Sequence, residues 1–199
     1  MLAQARAAIV STLFFTLLLG VGYPLLVTGI GQLAFPAQAG GSLIRDHGGQ
    51  VIGSSLLAQS FARPEYLHPR PSAAGSNGYD ASGSSGSNLE PLNPTLLERV
   101  KKDTDGLRIE AAGAPVPADA VTTSGSGLDP HISPENARMQ AARVAAARGI
   151  PVAEVRRVID RHTAFPLFFF GVIGQPAVNV LESNLDLDAA FPRSQPPAR

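Results

Sequence analysis

The chain has 199 residues, which is enough for one ordinary domain or for a small domain with appendages. Lys+Arg and Asp+Glu balance at 16 each, and without a basic excess a nucleic-acid-binding protein is not expected. The chain has no cysteine, which excludes disulfide scaffolds, thiol nucleophiles and Cys-ligated metal sites. The 20 glycines and 17 prolines predict short helices and long connections.

The N-terminal region predicts a transmembrane helix. No charged residue occurs between Arg6 and Arg45, a gap of 38 residues, and residues 7–27 are almost entirely apolar. As a helix, this stretch extends about 31 Å at ~1.5 Å per residue, which matches the hydrocarbon core of a bilayer. Buried helices of soluble proteins are rarely apolar on every face over this length.

Two questions concern the fate and the orientation of this helix. Ala37-Gln38-Ala39 matches the cleavage site of a signal peptide, but the apolar stretch is longer than such peptides have. Arg6 and the free amine favour a cytoplasmic N-terminus under the positive-inside rule. We therefore expect an uncleaved single-pass anchor, with residues 1–6 cytoplasmic, 7–30 in the lipid and 31–191 in an extracytoplasmic α+β domain.

Two local features predict the shape and the packing of the anchor. Pro24 lacks a backbone donor, so we expect the helix to kink or end there. Ala3, Ala7 and Ser11 lie four residues apart and form a row of small side chains, which lets a second helix approach closely in lipid. This row favours a packed helix partner, although small residues are common in any membrane helix.

A β-hairpin is predicted directly after the anchor. Residues 42–44 and 50–52 flank Asp46-His47-Gly48-Gly49, whose Asp and Gly are typical of tight turns. Residues 72–94 are rich in Gly, Ser and Asn and poor in apolar side chains, a composition typical of a flexible linker. We expect this loop to add little to the core.

Helix starts further along are marked by a capping residue followed by proline. Asn93-Pro94 begins one predicted helix, and Ser133-Pro134 begins a second that ends at Gly149. Pro151 opens a third helix, and residues 177–181 are predicted to form a strand. Apolar rows at helical spacing support the second and third helices: Ala137, Ala141, Val144, Ala145, Val155, Val158 and Ile159.

Composition alone assigns two further segments. Phe165–Ile173 is apolar but has about half the length of a membrane span, so we interpret it as buried core or as an interface patch. The Pro-rich tail, residues 192–199, is predicted to be disordered.

Ser124, Ser126, Asp129 and His131 bring together, within eight residues, the residue types of a hydrolase triad. Natural triads draw these side chains from distant segments, and no G-x-S-x-G elbow is present to expose a serine. We favour a structural interpretation, in which the glycines permit tight turns and the polar side chains bind loop amides. A membrane-anchored periplasmic serine hydrolase, using Ser124 or Ser126 with His131, is the alternative.

His68-Pro69-Arg70-Pro71-Ser72 is a second unusual cluster. An arginine fixed between two prolines can present a rigid fork to a carboxylate or phosphate, and we favour an internal ion pair with an acid such as Asp80. We expect no metal site, because the four histidines never occur at metal-ligand spacing and residues 103–106 only begin like a calcium loop. No phosphate-binding glycine motif occurs either.

Several stretches, in their order along the chain, resemble one known family. They are Gly22-Tyr23-Pro24, Phe61 to His68 with Arg70-Pro71-Ser72-Ala73, Tyr79-Asp80-Ala81, Ser85-Gly86-Ser87-Asn88-Leu89, Ser124-Gly125-Ser126-Gly127-Leu128-Asp129-Pro130-His131-Ile132-Ser133-Pro134, and Val178-Asn179-Val180-Leu181 with Asn184-Leu185. Over nearly the whole chain, this order resembles the C subunit of the Kdp-type potassium-transporting ATPase.

The resemblance implies an accessory, non-catalytic subunit of an ATP-driven potassium importer in the bacterial inner membrane. In that family a channel-like A subunit selects the ion, a P-type B subunit hydrolyses ATP, and a small F subunit completes the assembly. The C subunit carries a periplasmic domain and acts as a catalytic chaperone that raises the ATP affinity of the B subunit. No cofactor is implied for the chain itself, since ATP enters through the B subunit.

The resemblance also implies roles for particular residues. A nucleotide-related role has been suggested for the segment that matches Ser85, Gly86, Ser87 and Asn88. Our topology places this segment outside the cytoplasm, so an effect through helix packing or through the A subunit is easier to reconcile with cytoplasmic ATP. The remaining motif residues imply structural or interface roles: Tyr23, Pro24, His68, Arg70, Pro71, Ser72, Ser124, Gly125, Ser126, Gly127, Asp129, Pro130, His131 and Asn179. A tethered binding module without a transport role is the other alternative.

Overall fold

The computed structural model describes residues 2–46, 48–165 and 174–192, with side chains from Gln4 onward. The chain divides into two compact units, Met1–Ser54 and Ser55–Arg199. The first unit holds the anchor helix and a β-hairpin, and the second mixes helices with short strands. The predicted α+β class with one N-terminal membrane-length helix is confirmed.

The anchor is a continuous run of helix that contains a wider segment. Helix α1 (Leu2–Phe15) leads into a π-helix (Thr16–Gly22), which leads into α2 (Tyr23–Ala34). Within the described residues, Gln4–Ala34 is the one helix long and apolar enough to cross a membrane, and its side chains are exposed. The helical run is therefore longer than the predicted 7–30.

Of the two outcomes predicted at Pro24, a kink or an end, the helix does not end there. Pro24 is the second residue of α2, and its missing N–H falls where the π-helical segment passes into the α-helix. The hydrogen-bond register changes before it, because the N–H of Tyr23 donates to the carbonyl of Leu18, five residues back. Proline is thus accommodated by a π-helical segment, the kind of local widening that often accompanies disturbed helices.

The hairpin predicted after the anchor is confirmed. A short helix, α3 (Pro36–Ala39), precedes the antiparallel strands β1 (Leu43–Arg45) and β2 (Val51–Ser54). The carboxylate of Asp46 closes the turn by accepting the N–H groups of Gly48 at 2.9 Å and Gln50 at 2.8 Å. His47 lies outside the described residues.

The second unit contains five helices and three short strands among its described residues. The helices are α4 (Pro94–Leu107), α5 (Ala118–Val121), α6 (Pro134–Arg148), α7 (Val152–Arg161) and α8 (Val180–Ala190). The strands β3 (His131–Ile132), β4 (Thr163–Ala164) and β5 (Ala177–Asn179) form an antiparallel sheet in the order β3-β5-β4. In its register His131 pairs with Asn179, and Thr163 pairs with Val178.

The helix boundaries follow the predicted caps. The side chain of Asn93 accepts the N–H of Thr95 at 2.9 Å, and that of Ser133 accepts the N–H of Asn136 at 3.1 Å. Gly149 ends α6 with a φ of +67°, in the left-handed region that favours glycine. Local sequence chemistry therefore determines where α4 and α6 begin and where α6 ends.

The core of the second unit lies between α6, α7, α8 and the small sheet. All seven apolar residues predicted on α6 and α7 are buried. They pack with other buried residues of the same cluster: Leu67, Ile132, Val178, Val180 and Leu187. A core of this kind holds rigid the loops that enter and leave the sheet.

The predicted strand 177–181 is partly wrong, because Val180 and Leu181 begin α8. The side chain of Asn179 accepts the N–H of Glu182 at 3.0 Å and so caps the helix at its first turn. The apolar segment predicted at 165–173 lies outside the described residues from residue 166 onward, and Phe165 itself is exposed. The tail from residue 193 also lies outside them.

Candidate functional site

The segments singled out by their motifs meet on one loop of the second unit, residues 122–131. The N–H of Ala58 donates to Leu128 O at 2.9 Å, and that of Ser85 donates to Ser126 O at 2.9 Å. The hydroxyl of Ser72 donates to Gly127 O at 2.6 Å. Three distant stretches therefore bind the backbone of this loop, which we call the central loop.

Glycine permits the close approach of these backbones. Gly127 has a φ of +66°, and a Cβ at this position would lie 2.5 Å from Ser85 O and 2.8 Å from Ala74 N. A Cβ on Gly86 would lie 3.0 Å from Gly125 O. The glycines of both motifs thus serve close backbone packing, and Gly127 also serves a left-handed turn.

The hydroxyl of Ser72 organises the Gly/Ser-rich loop. Besides donating to the central loop, it accepts the N–H groups of Ala74 at 3.1 Å and Tyr79 at 2.8 Å. The phenol of Tyr79 donates in turn to Arg70 O at 2.9 Å, and Ala74 is fully buried. The flexible-linker interpretation is therefore wrong for this part, because hydrogen bonds order it. The prediction that residues 72–94 add little to the core is confirmed, since Ala74 is the one buried residue of this stretch.

Arg70 forms the internal ion pair that its setting between two prolines predicts, but with a different partner. Its Nη1 lies 3.2 Å from Asp129 Oδ2, and the guanidinium also donates to the carbonyls of Thr122 and Thr123. Asp80, the predicted partner, accepts the N–H and hydroxyl of Ser82 instead. The short turn that begins at Asp80 uses its carboxylate locally, so the more distant acid pairs with Arg70.

Asp129 links Arg70 to the start of β3. Its Oδ1 accepts the N–H of His131 at 3.0 Å and lies 3.6 Å from the Nδ1 of the same residue. The hydrogen bonds from His131, aided by the charge of Arg70, hold the pKa of the Asp129 carboxyl below its usual range despite partial burial. The carboxylate is therefore ionised at neutral pH and fixes the turn through Pro130.

The two serines of the apparent triad bind within their own loop. Ser126 Oγ accepts the N–H of Leu128 at 3.1 Å and lies 3.4 Å from Ser124 Oγ. Across the described residues, no hydrogen bond joins either hydroxyl to the ring of His131, so the acid–histidine pair forms without a serine beside it. The contacts match the structural interpretation that the sequence favours.

The segment with the suggested nucleotide role belongs to the same layer. Ser84 Oγ donates to Ser126 O at 3.0 Å, and the hydroxyl of Thr123 donates to Ser87 Oγ at 3.4 Å. Asn88 adopts a φ of +51°, a backbone conformation that Asn tolerates better than most residues. Residues 84–88 are therefore bound along the length of the central loop.

An open cleft of about 580 Å³ lies beside the central loop. Leu56 and Leu57 line one part of it, and the side chains of Ser84, Ser124 and Asp129 line another. Among the described residues, no group of three His, Asp or Glu side chains is placed to hold a metal ion. The cleft therefore offers hydroxyls, one paired carboxylate and an apolar edge.

The sequence does not reveal a second polar cluster, which holds His68. Gln140 binds both backbone groups of His68, accepting its N–H at 2.7 Å and donating to its carbonyl at 3.0 Å. The guanidinium of Arg143 donates to Gln140 and to the carbonyls of Pro64 and Tyr66. The sequence signal that could have indicated this cluster is the position of Gln140 on the apolar face of α6, because a polar side chain buried there needs hydrogen-bond partners.

Burial, together with the positive charge of Arg143 3.5 Å away, lowers the pKa of the His68 imidazole. Its Nε2 lies 3.0 Å from Arg63 O, so a neutral ring with the proton on Nε2 donates to that carbonyl. His68 thus joins the segment before Arg70 to α6 as a neutral side chain.

The motif residues of the anchor lie in the first unit. Ala7, Ser11 and Tyr23 are exposed, and Ser11 Oγ donates to the carbonyl of Ala8 at 3.1 Å. The side chain of Ala3 lies outside the described part of the chain. Close packing of this row against a second helix stays a prediction.

Comparison with known proteins places the chain in a family. The family model described as "K+-transporting ATPase, c chain" matches residues 5–189. A relative from Caulobacter sp. (strain K31) is 64% identical over 192 residues, which is 96% of each chain. Relatives from Beijerinckia indica and Koribacter versatilis are 58% identical over 99% of each chain, and 49% identical over 95% of this chain and 96% of the relative. All three carry the name Potassium-transporting ATPase KdpC subunit, and the chain belongs to the KdpC family.

Proposed function

We propose that this chain is the accessory subunit of a potassium-importing P-type ATPase complex, in which it assembles with the channel-like A, ATP-hydrolysing B and small F subunits. The observation that carries the proposal is the match over residues 5–189, which includes both the anchor and the second unit. A partial match to either unit alone would support only a shared fold. The complete arrangement supports a shared role.

In this proposal the anchor crosses the inner membrane once, with its N-terminus in the cytoplasm. Arg6 is the last charged residue before Arg45, and the described helix carries no charge from residue 7 to Ala34. The second unit is then periplasmic, together with the central loop. Alkaline phosphatase fused after residue 60 tests this, because the enzyme is active only outside the cytoplasm. An inactive fusion would contradict the topology.

The subunit raises the ATP affinity of the B subunit from the far side of the membrane. Ser85 and Ser87 support this indirect route, because their polar groups bind the central loop. The coupling therefore runs through protein contacts in the assembled complex. Thermodynamic linkage then makes it reciprocal: if the chain tightens ATP binding by some factor, ATP tightens binding of the chain by the same factor.

This reciprocity gives a test with two independent readings. The A, B and F subunits are purified without the chain, and the ATP concentration for half-maximal binding is measured before and after the chain is added. The affinity of the complex for the chain is then measured with and without a non-hydrolysed ATP analogue. Equal factors in both experiments are expected. An unchanged ATP affinity would overturn the chaperone role. Membership of the complex would then be tested separately, by co-purification of the chain with the A, B and F subunits.

A further inference from the structure

The backbone of the anchor has a gap in its hydrogen bonding. The N–H of Tyr23 donates to the carbonyl of Leu18 in the π-helical register. The next residue, Pro24, has no N–H to donate. The carbonyl of Leu19 could accept from residue 23 in an α-helix or from residue 24 in a π-helix. Neither donor is available, so in the α-helical and π-helical registers this carbonyl has no partner within the described anchor.

This carbonyl lies at the middle of the apolar helix. Leu19 is fifteen residues from each end of the span Gln4–Ala34, and the π-helical segment around it has no buried residue. In the hydrocarbon of a bilayer no water can replace the missing donor, so an unsatisfied carbonyl is unfavourable there. A donor from another molecule is therefore favoured at this depth.

The surroundings of the carbonyl leave room for such a donor. Helix carbonyls point toward the next turn, so that of Leu19 faces the turn with Tyr23 and Pro24. A Cβ built on Gly20 would meet nothing closer than Thr16 Cγ2 at 3.8 Å, and one on Gly22 would lie 3.5 Å from Leu17 O. The two glycines that precede this turn thus place no side chain over the backbone.

We propose that the carbonyl of Leu19 accepts a hydrogen bond from a hydroxyl or amide side chain on a transmembrane helix of a partner subunit. The π-helical segment is then a docking site at the centre of the membrane. A lipid chain cannot occupy it productively, because hydrocarbon has no donor. The inference rests on the proposed function, since it requires a partner helix in the same complex.

The test compares three variants of the full chain, co-expressed with the other subunits and purified by a tag on this chain. Pro24→Ala supplies the missing N–H, which the carbonyl of Leu19 can accept in the π-helical register, so the partner's donor loses its acceptor. Gly20→Leu fills the space beside the carbonyl. Each is expected to lower the retained A subunit about threefold, and at most about twentyfold, as measured interhelical hydrogen bonds in membranes imply. Gly29→Leu is the matched control, because a Cβ there meets nothing within 4 Å, and it should retain the A subunit fully.

Membrane insertion is checked in parallel by resistance to carbonate extraction, which all variants should share. If the wild-type chain retains no large subunit, the proposed function fails and this inference fails with it. If wild type, Pro24→Ala and Gly20→Leu retain the A subunit equally, only the docking site is overturned. Equal loss of the A subunit in Gly29→Leu would also overturn the docking site. So would a second outcome, in which the variants retain the A subunit but a tagged copy of this chain no longer retains an untagged copy.

Discussion

Arg70 and Asp129, 59 residues apart in sequence, form an ion pair at 3.2 Å that joins the Pro-flanked segment to the central loop. The same guanidinium reaches the carbonyl of Thr123 at 3.2 Å, so one side chain binds the loop at two points. Arginine suits this role because its planar fork donates in several directions at once.

Arg70→Lys should therefore destabilise the second unit although it keeps the charge. A single ammonium cannot reach the carboxylate and both loop carbonyls, and we expect a loss of about 1–2 kcal/mol in the free energy of unfolding. The control is Arg157→Lys, since Arg157 pairs with Glu154 while its side chain is 70% exposed; such surface pairs contribute about 0–1 kcal/mol. Urea unfolding in detergent, followed by circular dichroism, compares the two. Equal losses would contradict a special role for Arg70.

Gly127→Ala should be far more damaging than the same change at Gly149. Both residues have a positive φ, +66° and +67°, so both substitutions carry the same backbone strain of about 1 kcal/mol. They differ in space, because a Cβ at position 127 would meet Ser85 O at 2.5 Å, whereas one at position 149 meets nothing within 4 Å. We expect Gly149→Ala to fold with a slightly lower melting temperature. Gly127→Ala should release residues 84–88 to proteolysis, and similar behaviour of both variants would argue against close packing of the two loops.

The parts of the fold that depend on local chemistry were predictable from the sequence. Ser133 and Gly149 act through atoms only a few residues away, and so does Asp46 in the hairpin turn. The error at Val180 has a local cause too, since a β-branched apolar run suggests a strand. The cap at Asn179 outweighs that preference, because it satisfies the first turn of α8.

The parts that depend on distant contacts were not predictable. Composition suggests a linker at residues 72–94, yet Ser72 reaches a carbonyl 55 residues away and orders the first part of the stretch. The ion-pair partner predicted for Arg70 was wrong for the same reason, because a single sequence gives no way to prefer Asp129 over the nearer Asp80. The motif of the central loop marked the right residues, and only the structure gives their partners.

His68 should make the second unit less stable in mild acid. Its folded-state pKa lies below the unfolded value of about 6.5, so the unfolded chain takes up the proton first. The free energy of unfolding therefore falls as the pH drops from about 6.5 toward the folded-state pKa, and is regained above that window. His68→Gln keeps an N–H that can donate to Arg63 O and does not titrate. Its stability should stay flat over the same range.

The contribution of Asp129 falls in a separate window, which serves as an internal check. Its pKa is lowered in the folded state, so its stabilisation is present above the unfolded value of about 3.9 and is lost as the pH falls below it. Chemical unfolding from pH 8 to pH 3 should show two steps in the wild type. His68→Gln should remove only the upper step, and its survival in that variant would contradict the assignment.

The contact between Ser87 and Thr123 distinguishes a packing role of residues 85–88 from direct contact with ATP. Thr123 donates to the hydroxyl of Ser87 at 3.4 Å, so Ser87→Ala and Thr123→Val each remove the same hydrogen bond from opposite sides. If the segment acts through packing, both variants should shift the ATP concentration for half-maximal hydrolysis by the assembled complex in the same direction. The shift should be no more than about tenfold, because one neutral hydrogen bond contributes about 0.5–1.5 kcal/mol. The double variant should add little to either change, because the two residues share one contact. Direct contact with nucleotide predicts a shift with Ser87→Ala alone, and that result would contradict the indirect route.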